Sequence, residues 1–311
     1  MIRELRARWG TTAIGIGDDA AVLALPRGDS LVASVDTSIV GRHFREGWLA
    51  PREIGYRAVA AALSDLAAMA AKPLAVLVAL SIPDGSRGDV LEIGDGIGDA
   101  ARVTGARIVG GNLSAAGELS ITTTVLGSAY SVLSRGAARD GDRLFVTGRL
   151  GGPATAVRAL ERSGRSAELD PAIRNRFARP MPRIAEARWL ADRGFTAAID
   201  ISDGLVADAG QLAAASDLHV EIDAERVPRM VGAELHDALT GGEEYELLVT
   251  VPESVLRDAS EFAREFARQF GLSLTEIGRL SRPAGTAGQG GSVEVRGARV
   301  AGAVGYDHFS R

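Results

Sequence analysis

Cysteine is absent from the 311 residues, which excludes disulfide bonds, thiolate metal sites and cysteine nucleophiles. Lysine is nearly absent as well, because Lys72 is the only one and arginine supplies the remaining basic side chains. The net charge of −5 argues against nucleic acid as the main partner, since nucleic-acid-binding proteins carry basic surfaces. The chemistry of this chain must therefore use oxygen and nitrogen groups.

Long apolar runs are also missing. The longest apolar segment, 58–71, is interrupted by Ser64 and Asp65, whereas a membrane-spanning helix needs about 18 or more apolar residues. The first residues, MIRELRARWG, contain no apolar signal core. We therefore expect a cytoplasmic protein that does not cross a membrane.

The length of the chain indicates two domains, because 311 residues exceed what a single core usually holds. Apolar strand candidates alternate with helical segments, which predicts an α/β or α+β fold. The stretch SRGAARDGD at 134–142 is polar and contains glycine. We place the domain boundary there, giving an N-terminal domain of residues 1–135 and a C-terminal domain of residues 136–311.

Local patterns predict the elements that would carry the site. Residues 30–40 are rich in valine and isoleucine and predict a strand. Pro51 is suited to the first turn of a helix whose apolar spacing continues to residue 71. The stretch ARIVGGN at 106–112 predicts a strand that runs into a glycine turn, 164–183 predicts a polar connector, and 284–292 predicts a mobile loop.

The most informative feature is the position of the aspartates, several of which follow apolar strands or interrupt an apolar helix. They are Asp18, Asp19, Asp36, Asp65, Asp200 and Asp203. A buried unpaired carboxylate is costly or binds a proton, so several in one place are reasonable only around cations. Oxygen ligands without cysteine and with few histidines indicate Mg²⁺, which commonly also holds phosphates. The pattern favours phosphoryl transfer.

Each aspartate has a structural explanation when it is taken alone. Asp18 and Asp19 suit a turn, Asp36 could cap a loop, and Asp203 could cap the helix after Gly204. Asp65 is harder to explain in this way because it interrupts an apolar helix. The set is stronger evidence for a cation site than any of its members.

Glycine clusters follow or join strand candidates at IGIG (14–17), VGGN (109–112), TGRLGG (147–152) and LTGGEE (239–244). Glycine lets backbone N–H groups approach phosphate oxygens, although plain turns explain any single cluster. The P-loop motif GxxxxGK[ST] and the dinucleotide fingerprint GxGxxG are both missing. His43 could donate a hydrogen bond to a phosphate or have a structural role.

Nine stretches together resemble the thiamine-monophosphate kinase family, within the wider aminoimidazole-ribonucleotide-synthetase-like superfamily. They are GIGDDAAVL (15–23), SVDTSIVGRHF (34–44), ALSDLAAM (62–69), VGGNLS (109–114), LSRGAARDGDRLFVTG (133–148), AIDISDGLVAD (198–208), LTGGEEYELL (239–248), EIGRL (276–280) and GYDHF (305–309). They follow the family's order over nearly the whole chain. ISDGL, GGEEYEL and GYDHF indicate the thiamine branch.

The resemblance implies a two-domain aminoimidazole-ribonucleotide-synthetase-like fold and a homodimer joined through the N-terminal domain. It implies direct, in-line transfer of the γ-phosphate from ATP, the co-substrate, to thiamine monophosphate, with several Mg²⁺ ions. The implied metal ligands are Asp19, Ser34, the Val35 carbonyl, Asp36, Asp65, Asn112, Asp200 and Asp203, of which Asp36, Asp65 and Asp203 are expected to be catalytic. Gly111, Asn112, Arg135 and Ser202 would contact ATP, and His43, Glu243 and Tyr306 would contact the thiamine substrate.

Two positions depart from the family. Asn112 replaces the usual aspartate, so one metal would be held with less charge, and Glu244 replaces the common aspartate. Selenophosphate synthetase and hydrogenase-maturation relatives would need cysteine, which this chain lacks. The remaining alternatives are another superfamily enzyme, such as aminoimidazole ribonucleotide synthetase, and a regulator that binds nucleotide without turnover.

Overall fold

The computed structural model describes residues 1–13, 23–83, 87–256, 258–283 and 291–300. Asp18, Asp19 and Tyr306 lie outside the described residues, as does most of the segment 284–292. Within the described ranges, strands and helices alternate as expected and form two sheets, so the predicted α/β class is confirmed. Of the helices in these ranges, none combines the length and the apolar character that crossing a bilayer requires.

The first half of the chain builds a four-stranded sheet. Its helices are α1 (Ile2–Trp9), α2 (Pro51–Ala68) and α3 (Arg87–Thr104), and its strands are β1 (Ser30–Ile39), β2 (Lys72–Ile82), β3 (Arg107–Ala115) and β4 (Ser120–Ala129). The strand order is β1-β4-β2-β3. β4 runs antiparallel to β1 and β2, and β3 runs parallel to β2. Lys72 begins β2 with an exposed side chain.

The second half builds a six-stranded sheet. Its elements are β5 (Arg143–Thr147), α4 (Gly152–Ser163), α5 (Pro171–Ala178), α6 (Ile184–Ala191), β6 (Ala197–Asp200), α7 (Leu205–Ser216), β7 (His219–Asp223), α8 (Leu235–Thr240), β8 (Leu247–Val251), α9 (Ala259–Phe270), β9 (Leu274–Ser281) and β10 (Ser292–Arg296). The strand order is β10-β7-β9-β5-β8-β6. A short 3₁₀ turn, Arg135–Ala137, lies between the two sheets in sequence.

Helix α2 packs directly against the backbone of α3. A Cβ atom on Gly55 would lie 2.1 Å from the carbonyl oxygen of Ile93, and one on Gly96 would lie 1.8 Å from that of Arg52. Only glycine allows backbones to approach so closely. The two helices are therefore held in one fixed relation, which matters because α2 carries side chains of the site described below.

The same helix belongs to two hydrophobic cores. Val59 and Leu63 pack in the core of the first sheet. Ala67 and Ala68, one turn or two further on, pack with Phe145 and other residues of the second sheet. Because burial of apolar surface is the main stabilising contribution to folding, the two halves of the chain are joined through α2.

Two segments differ from the sequence-based expectation. Strand β3 continues through Gly110 and Gly111 instead of turning there, because its neighbour β2 comes so close that a Cβ on Gly111 would lie 1.9 Å from the Val78 oxygen. Within 164–183, helix α5 forms where a polar connector was expected. The Asp170 side chain accepts a hydrogen bond from the Ala172 N–H, and Pro171 occupies the first helical position, which together stabilise a helix start.

Candidate active site

A cavity of about 570 Å³ lies where elements of both halves meet: β1, α2, α4, and the segments after β6 and before β8. It brings together eight of the side chains or backbone groups predicted from the sequence. These are Val35, Asp36, His43, Asp65, Asp200, Ser202, Asp203 and Glu243. The fold therefore collects residues that are far apart in the chain around one space.

Asp65 is positioned by α2 and β1. The Ser34 hydroxyl donates a hydrogen bond of 2.5 Å to Asp65 Oδ2, which fixes the carboxylate against the strand that carries Asp36. Burial raises the pKa of Asp65, and the charge of Asp36 adds to that effect, while the Ser34 hydrogen bond and Arg135 oppose it. The aspartate that interrupts the apolar helix thus faces a second aspartate.

Asp200 ends β6 and is only 3% exposed. Burial and the charge of Asp65 raise its pKa to about 6, while the charge of Arg135 opposes the shift. Asp65 therefore repels both Asp36 and Asp200 electrostatically in the described structure. Like charges held together in this way are stabilised when a cation binds between them.

The turn after β6 is held by Asp208, a buried residue in the first turn of α7. One carboxylate oxygen, Oδ2, accepts backbone N–H hydrogen bonds from Ser202 (3.0 Å), Asp203 (3.0 Å) and Gly204 (3.1 Å). Burial and the charges of Asp200 and Asp203 raise its pKa to about 7. Asp208 thus fixes the turn that presents Ser202 and Asp203 to the cavity.

Arg57 also lines the cavity and lies on the same helix as Asp65. Its guanidinium donates to the Glu243 carboxylate and, over 2.9 Å, to the Phe177 carbonyl, and it stacks 4.5 Å from the centre of the Phe177 ring. The Arg57 side chain is 7% exposed. A residue of the first half therefore holds the predicted substrate contact Glu243 of the second half.

The segment 243–246 alternates between the cavity and the protein interior. Glu243 and Tyr245 line the cavity, and both have positive φ angles, 61° and 52°. Glu244 accepts a hydrogen bond from the Gly151 N–H, and Glu246 pairs with Arg176 and Arg183. The buried glutamates anchor a strained segment that exposes its other two side chains to the cavity.

His43 lines the cavity, and its ring is fixed by the end of β1. The Ile39 N–H donates a hydrogen bond of 3.0 Å to His43 Nδ1. This contact is consistent with the structural role that the sequence left open, and the position in the cavity wall is consistent with a ligand contact.

Three predicted ATP contacts are not among the cavity-lining residues: Gly111, Asn112 and Arg135. Gly111 shares a cross-strand row with Asp36, through Thr123 and Val78, and Asn112 is the next residue on β3. Arg135 donates a 2.7 Å hydrogen bond to Gln211. Its charge lowers the pKa of Asp65 and Asp200, so it acts on the carboxylates without lining the cavity.

The donor set of the cavity suits a hard cation. Asp36, Asp65, Asp200 and Asp203 all line it, and oxygen ligands are those that Mg²⁺ prefers. Within the ranges that the structure describes, however, no three histidine, aspartate or glutamate side chains are grouped closely enough to surround one ion. The residues present fit Mg²⁺ by their chemistry and charge.

Arg57, Asp208 and Tyr245 were not predicted as site residues. Arg57 and Asp208 each carry a charge within an apolar helical stretch, the same signal that identified Asp65. Tyr245 lies within the GGEEYEL stretch, but a tyrosine next to a strand gives no comparable signal because aromatic residues are common there.

The sequence matches two families over most of its length. Residues 17–129 match AIR synthase related protein, N-terminal domain, and residues 139–289 match AIR synthase related protein, C-terminal domain. Thiamine-monophosphate kinase of Escherichia coli (strain K12) is 36% identical over 280 residues, which cover 86% of this chain and 84% of that protein.

Solved structures agree with these matches. The crystal structure of thiamine-monophosphate kinase from Stenotrophomonas maltophilia K279a superposes with a TM-score of 0.83 at 33% identity, covering 96% of each chain. AaThiL complexed with AMPPCP and TMP superposes with a TM-score of 0.78 at 28% identity, covering 99% of this chain and 96% of the other. The thiamine branch of the superfamily is thereby favoured over the other superfamily enzymes. The chain belongs to the thiamine-monophosphate kinase family of AIR synthase related proteins.

Proposed function

We propose that this protein is a kinase that transfers the γ-phosphate of ATP to thiamine monophosphate, giving thiamine diphosphate and ADP. The observation that carries the proposal is one cavity that joins four aspartates to Glu243. The related AaThiL has been solved with AMPPCP, an analogue of ATP, and with TMP. The cavity wall here offers aspartates for a metal-bound phosphate and Glu243 with aromatic rings for a cationic ring.

The thiazolium cation of thiamine monophosphate suits the lining residues Glu243, Phe177 and Trp48, because a carboxylate and aromatic faces both attract a cation. The phosphate of the acceptor then points towards Asp36 and Asp65. A phosphate monoester loses its second proton with a pKa of about 6, so the attacking oxygen of the acceptor's phosphate is largely ionised at neutral pH. The cavity aspartates are therefore proposed to position charge rather than to remove a proton.

We propose Mg²⁺ as the cofactor, held by Asp36, Asp65, Asp200 and Asp203. When bound, Mg²⁺ neutralises and orients the phosphates of donor and acceptor, which is most of what phosphoryl transfer requires. Asp19, Ser34, the Val35 carbonyl and Asn112 stay as further proposed ligands from the family resemblance. Asp208 supports the set by fixing the turn that carries Asp203.

The contacts to the nucleotide and to the thiamine ring are proposals of the same kind. Arg135, Ser202, Gly111 and Asn112 are assigned to ATP, where a guanidinium is well suited to a phosphate. His43 and Tyr306 are assigned with Glu243 to the thiamine substrate. Arg135 in particular already acts electrostatically on Asp65 and Asp200.

We also propose a homodimer formed through the N-terminal domain, with the domains divided near residue 135 and the enzyme acting in the cytoplasm. β1 is at the edge of its sheet, and Leu31 and Val35 on that strand are 58% and 62% exposed. An exposed apolar edge strand is suited to pairing with another chain. Light scattering should give twice the mass of the 311-residue chain; a monomeric mass at micromolar concentration would contradict the dimer.

The deciding experiment measures ADP release from ATP and Mg²⁺ with and without thiamine monophosphate and identifies the thiamine product by chromatography. We expect acceptor-dependent ADP release with formation of thiamine diphosphate. Asp36→Asn and Asp203→Asn should each lose most of this activity while keeping the thermal stability of the wild type. ATP binding without acceptor-dependent turnover would instead support the regulator.

A further inference from the structure

Tyr245 is a cavity residue to which the proposed reaction has so far given no role. Its side chain is 8% exposed and lines the cavity together with Glu243. The backbone holds it at a φ of 52°, a left-handed conformation that is uncommon and costly for a bulky residue. The Tyr245 N–H donates a hydrogen bond of 2.9 Å to the Ile201 carbonyl, which helps to hold this conformation.

Tyr245 brings a phenol hydroxyl to the wall of the cavity. A tyrosine buries its ring and keeps its O–H for a hydrogen-bond partner, which a ligand in the cavity can supply. Burial and the charge of Glu243, with smaller contributions from Asp36 and Asp200, raise the pKa of the phenol well above its ordinary value. The group is thus a neutral donor throughout the physiological pH range.

The surroundings of this donor select its partner. The charges of Glu243, Arg57, Asp36 and Asp200 all act on its phenol, and the Tyr245 N–H donates to the carbonyl of Ile201, the residue after Asp200. Tyr245 therefore lies near both Glu243 and the aspartates. An acceptor whose ring lies near Glu243 and whose phosphate lies near the aspartates has its phosphate ester at this point. A neutral O–H donor can bind a phosphate oxygen strongly without adding a charge to the site.

We infer that the Tyr245 hydroxyl donates a hydrogen bond to a phosphate oxygen of the bound acceptor, and so contributes to the choice of a phosphorylated acceptor. This inference rests on the proposed kinase function. It makes Tyr245 a substrate-contacting residue, distinct from Glu243, which contacts the ring. The anchors Glu244 and Glu246 hold the segment in the conformation that aims the phenol into the cavity.

The test compares Tyr245→Phe with the wild type and with Tyr56→Phe. Tyr56 is buried in α2 beneath Arg179 and does not line the cavity, so its variant removes a matched hydroxyl elsewhere. We expect Tyr245→Phe to lower kcat/KM for thiamine monophosphate by about tenfold to a hundredfold, the effect of one hydrogen bond to a charged group. KM for ATP should stay within about twofold, and Tyr56→Phe should leave both values within about twofold, as expected for a hydroxyl outside the site.

Calorimetric binding separates the phosphate from the ring. Thiamine, which has the ring but no phosphate, should bind Tyr245→Phe and the wild type equally, whereas thiamine monophosphate should bind the variant more weakly. Equal weakening of both ligands, or kcat/KM for thiamine monophosphate unchanged in Tyr245→Phe, would overturn the inference. Failure of the wild type to form thiamine diphosphate would instead contradict the proposed function, and the two binding measurements would still decide the role of Tyr245.

Discussion

Glu244 and Glu246 are both fully buried but lie in opposite electrostatic surroundings. Burial raises the pKa of Glu244 from 4.5 to about 8, although Arg176 and the Gly151 N–H oppose the shift. Burial acts on Glu246 in the same direction, but Arg176 and Arg183 outweigh it and lower its pKa to about 2. The two residues therefore make opposite contributions to the pH dependence of stability.

The first prediction concerns Glu244→Gln, which is uncharged at every pH. The folded protein holds the Glu244 proton more tightly than the unfolded chain does, so the wild type loses stability as the pH rises from about 4.5 to about 8. The variant should therefore be more stable than the wild type above that range, by on the order of 1–3 kcal/mol. Urea unfolding at acidic, neutral and alkaline pH measures the difference.

Glu246→Gln is the matched control and should behave in the opposite way. Its carboxylate stabilises the folded state at neutral pH, and this contribution is lost as the pH falls from about 4.5 to about 2. The variant should be less stable than the wild type at neutral pH, by about 3–5 kcal/mol, because two partly buried arginines lose their charged partner. A Glu244→Gln protein that is less stable than the wild type at alkaline pH would contradict the assignment.

The second prediction concerns Arg57, which we expect to position Glu243 for the ring of the acceptor. Arg57→Met should raise KM for thiamine monophosphate by about tenfold, the effect of losing one charged hydrogen bond, and leave KM for ATP nearly unchanged. Arg57→Lys should restore most of the loss, because it keeps the positive charge. Steady-state kinetics with each substrate varied in turn separates these effects.

Arg143→Met is the control for Arg57→Met. Arg143 pairs with Glu276 over 2.5 Å and is 16% exposed, but it lies outside the cavity. Its loss should lower the melting temperature without a selective change in either KM. Equal changes of both KM values in Arg57→Met would mean that Arg57 only joins the two halves of the chain.

For single residues, the sequence was most informative where a charged side chain lies within or directly after an apolar stretch. That pattern predicted four aspartates that do line one cavity, namely Asp36, Asp65, Asp200 and Asp203. The same pattern was present at Arg57 and Asp208. Their partners, Glu243 and the N–H groups of 202–204, become neighbours only in the fold. Their roles depend on three-dimensional contacts that spacing in the sequence does not determine.

The contact between α2 and α3 supports the site at the level of elements. Both helices approach through glycine, and a Cβ on Gly96 would lie 1.8 Å from the Arg52 carbonyl oxygen. Since α2 also carries Arg57 and Asp65, any shift of α2 away from α3 moves two cavity side chains together.

The third prediction is that Gly96→Ala destabilises the protein by about 1–3 kcal/mol, because the added methyl group forces the helices apart. Gly88→Ala in the same helix is the control, since a Cβ there meets no atom within 4 Å. It should be neutral or stabilise by up to about 1 kcal/mol, as alanine favours helix more than glycine does. Chemical denaturation of both variants provides the measurement, and equal stabilities would contradict the close contact.

Most elements at the site were predictable from periodicity, and the exceptions have physical reasons. The helix starting at Pro51 and the strand starting at Ser30 agree with the structure, because apolar spacing decides both. Gly110 and Gly111 indicated a turn, but in the structure they lie within strand β3, where they allow β2 to approach closely. Tertiary contact, which the local pattern does not contain, selected between these two uses of glycine.

For the whole molecule, the important feature is that α2 packs in both cores. The length of the chain and the polar connector predicted two domains, but neither indicates that one helix packs in both cores. The sharing of a helix follows from the apolar character of α2 on nearly all sides, since 14 of its residues are buried. An all-round apolar helix must be covered on every side.

The fourth prediction is that the protein unfolds in a single thermal transition. Unfolding of either half exposes one face of α2, so each half loses stability when the other opens. Calorimetry and circular dichroism should give coincident midpoints, and Gly96→Ala should shift the whole transition. Two separated transitions, of which the variant shifts one alone, would show that the cores are independent.

The rarity of lysine has a practical consequence for work on the whole protein. Lys72 is the only side-chain amine in the chain, and it is exposed at the first residue of β2. In the sheet, the row that contains Asp36 crosses β2 at Val78, which is about 20 Å further along the strand. An amine-reactive dye therefore has one side-chain target, outside the cavity, and the α-amine of Met1 as its other target. With the α-amine blocked, labelling at Lys72 suits fluorescence anisotropy and oriented attachment on a sensor surface.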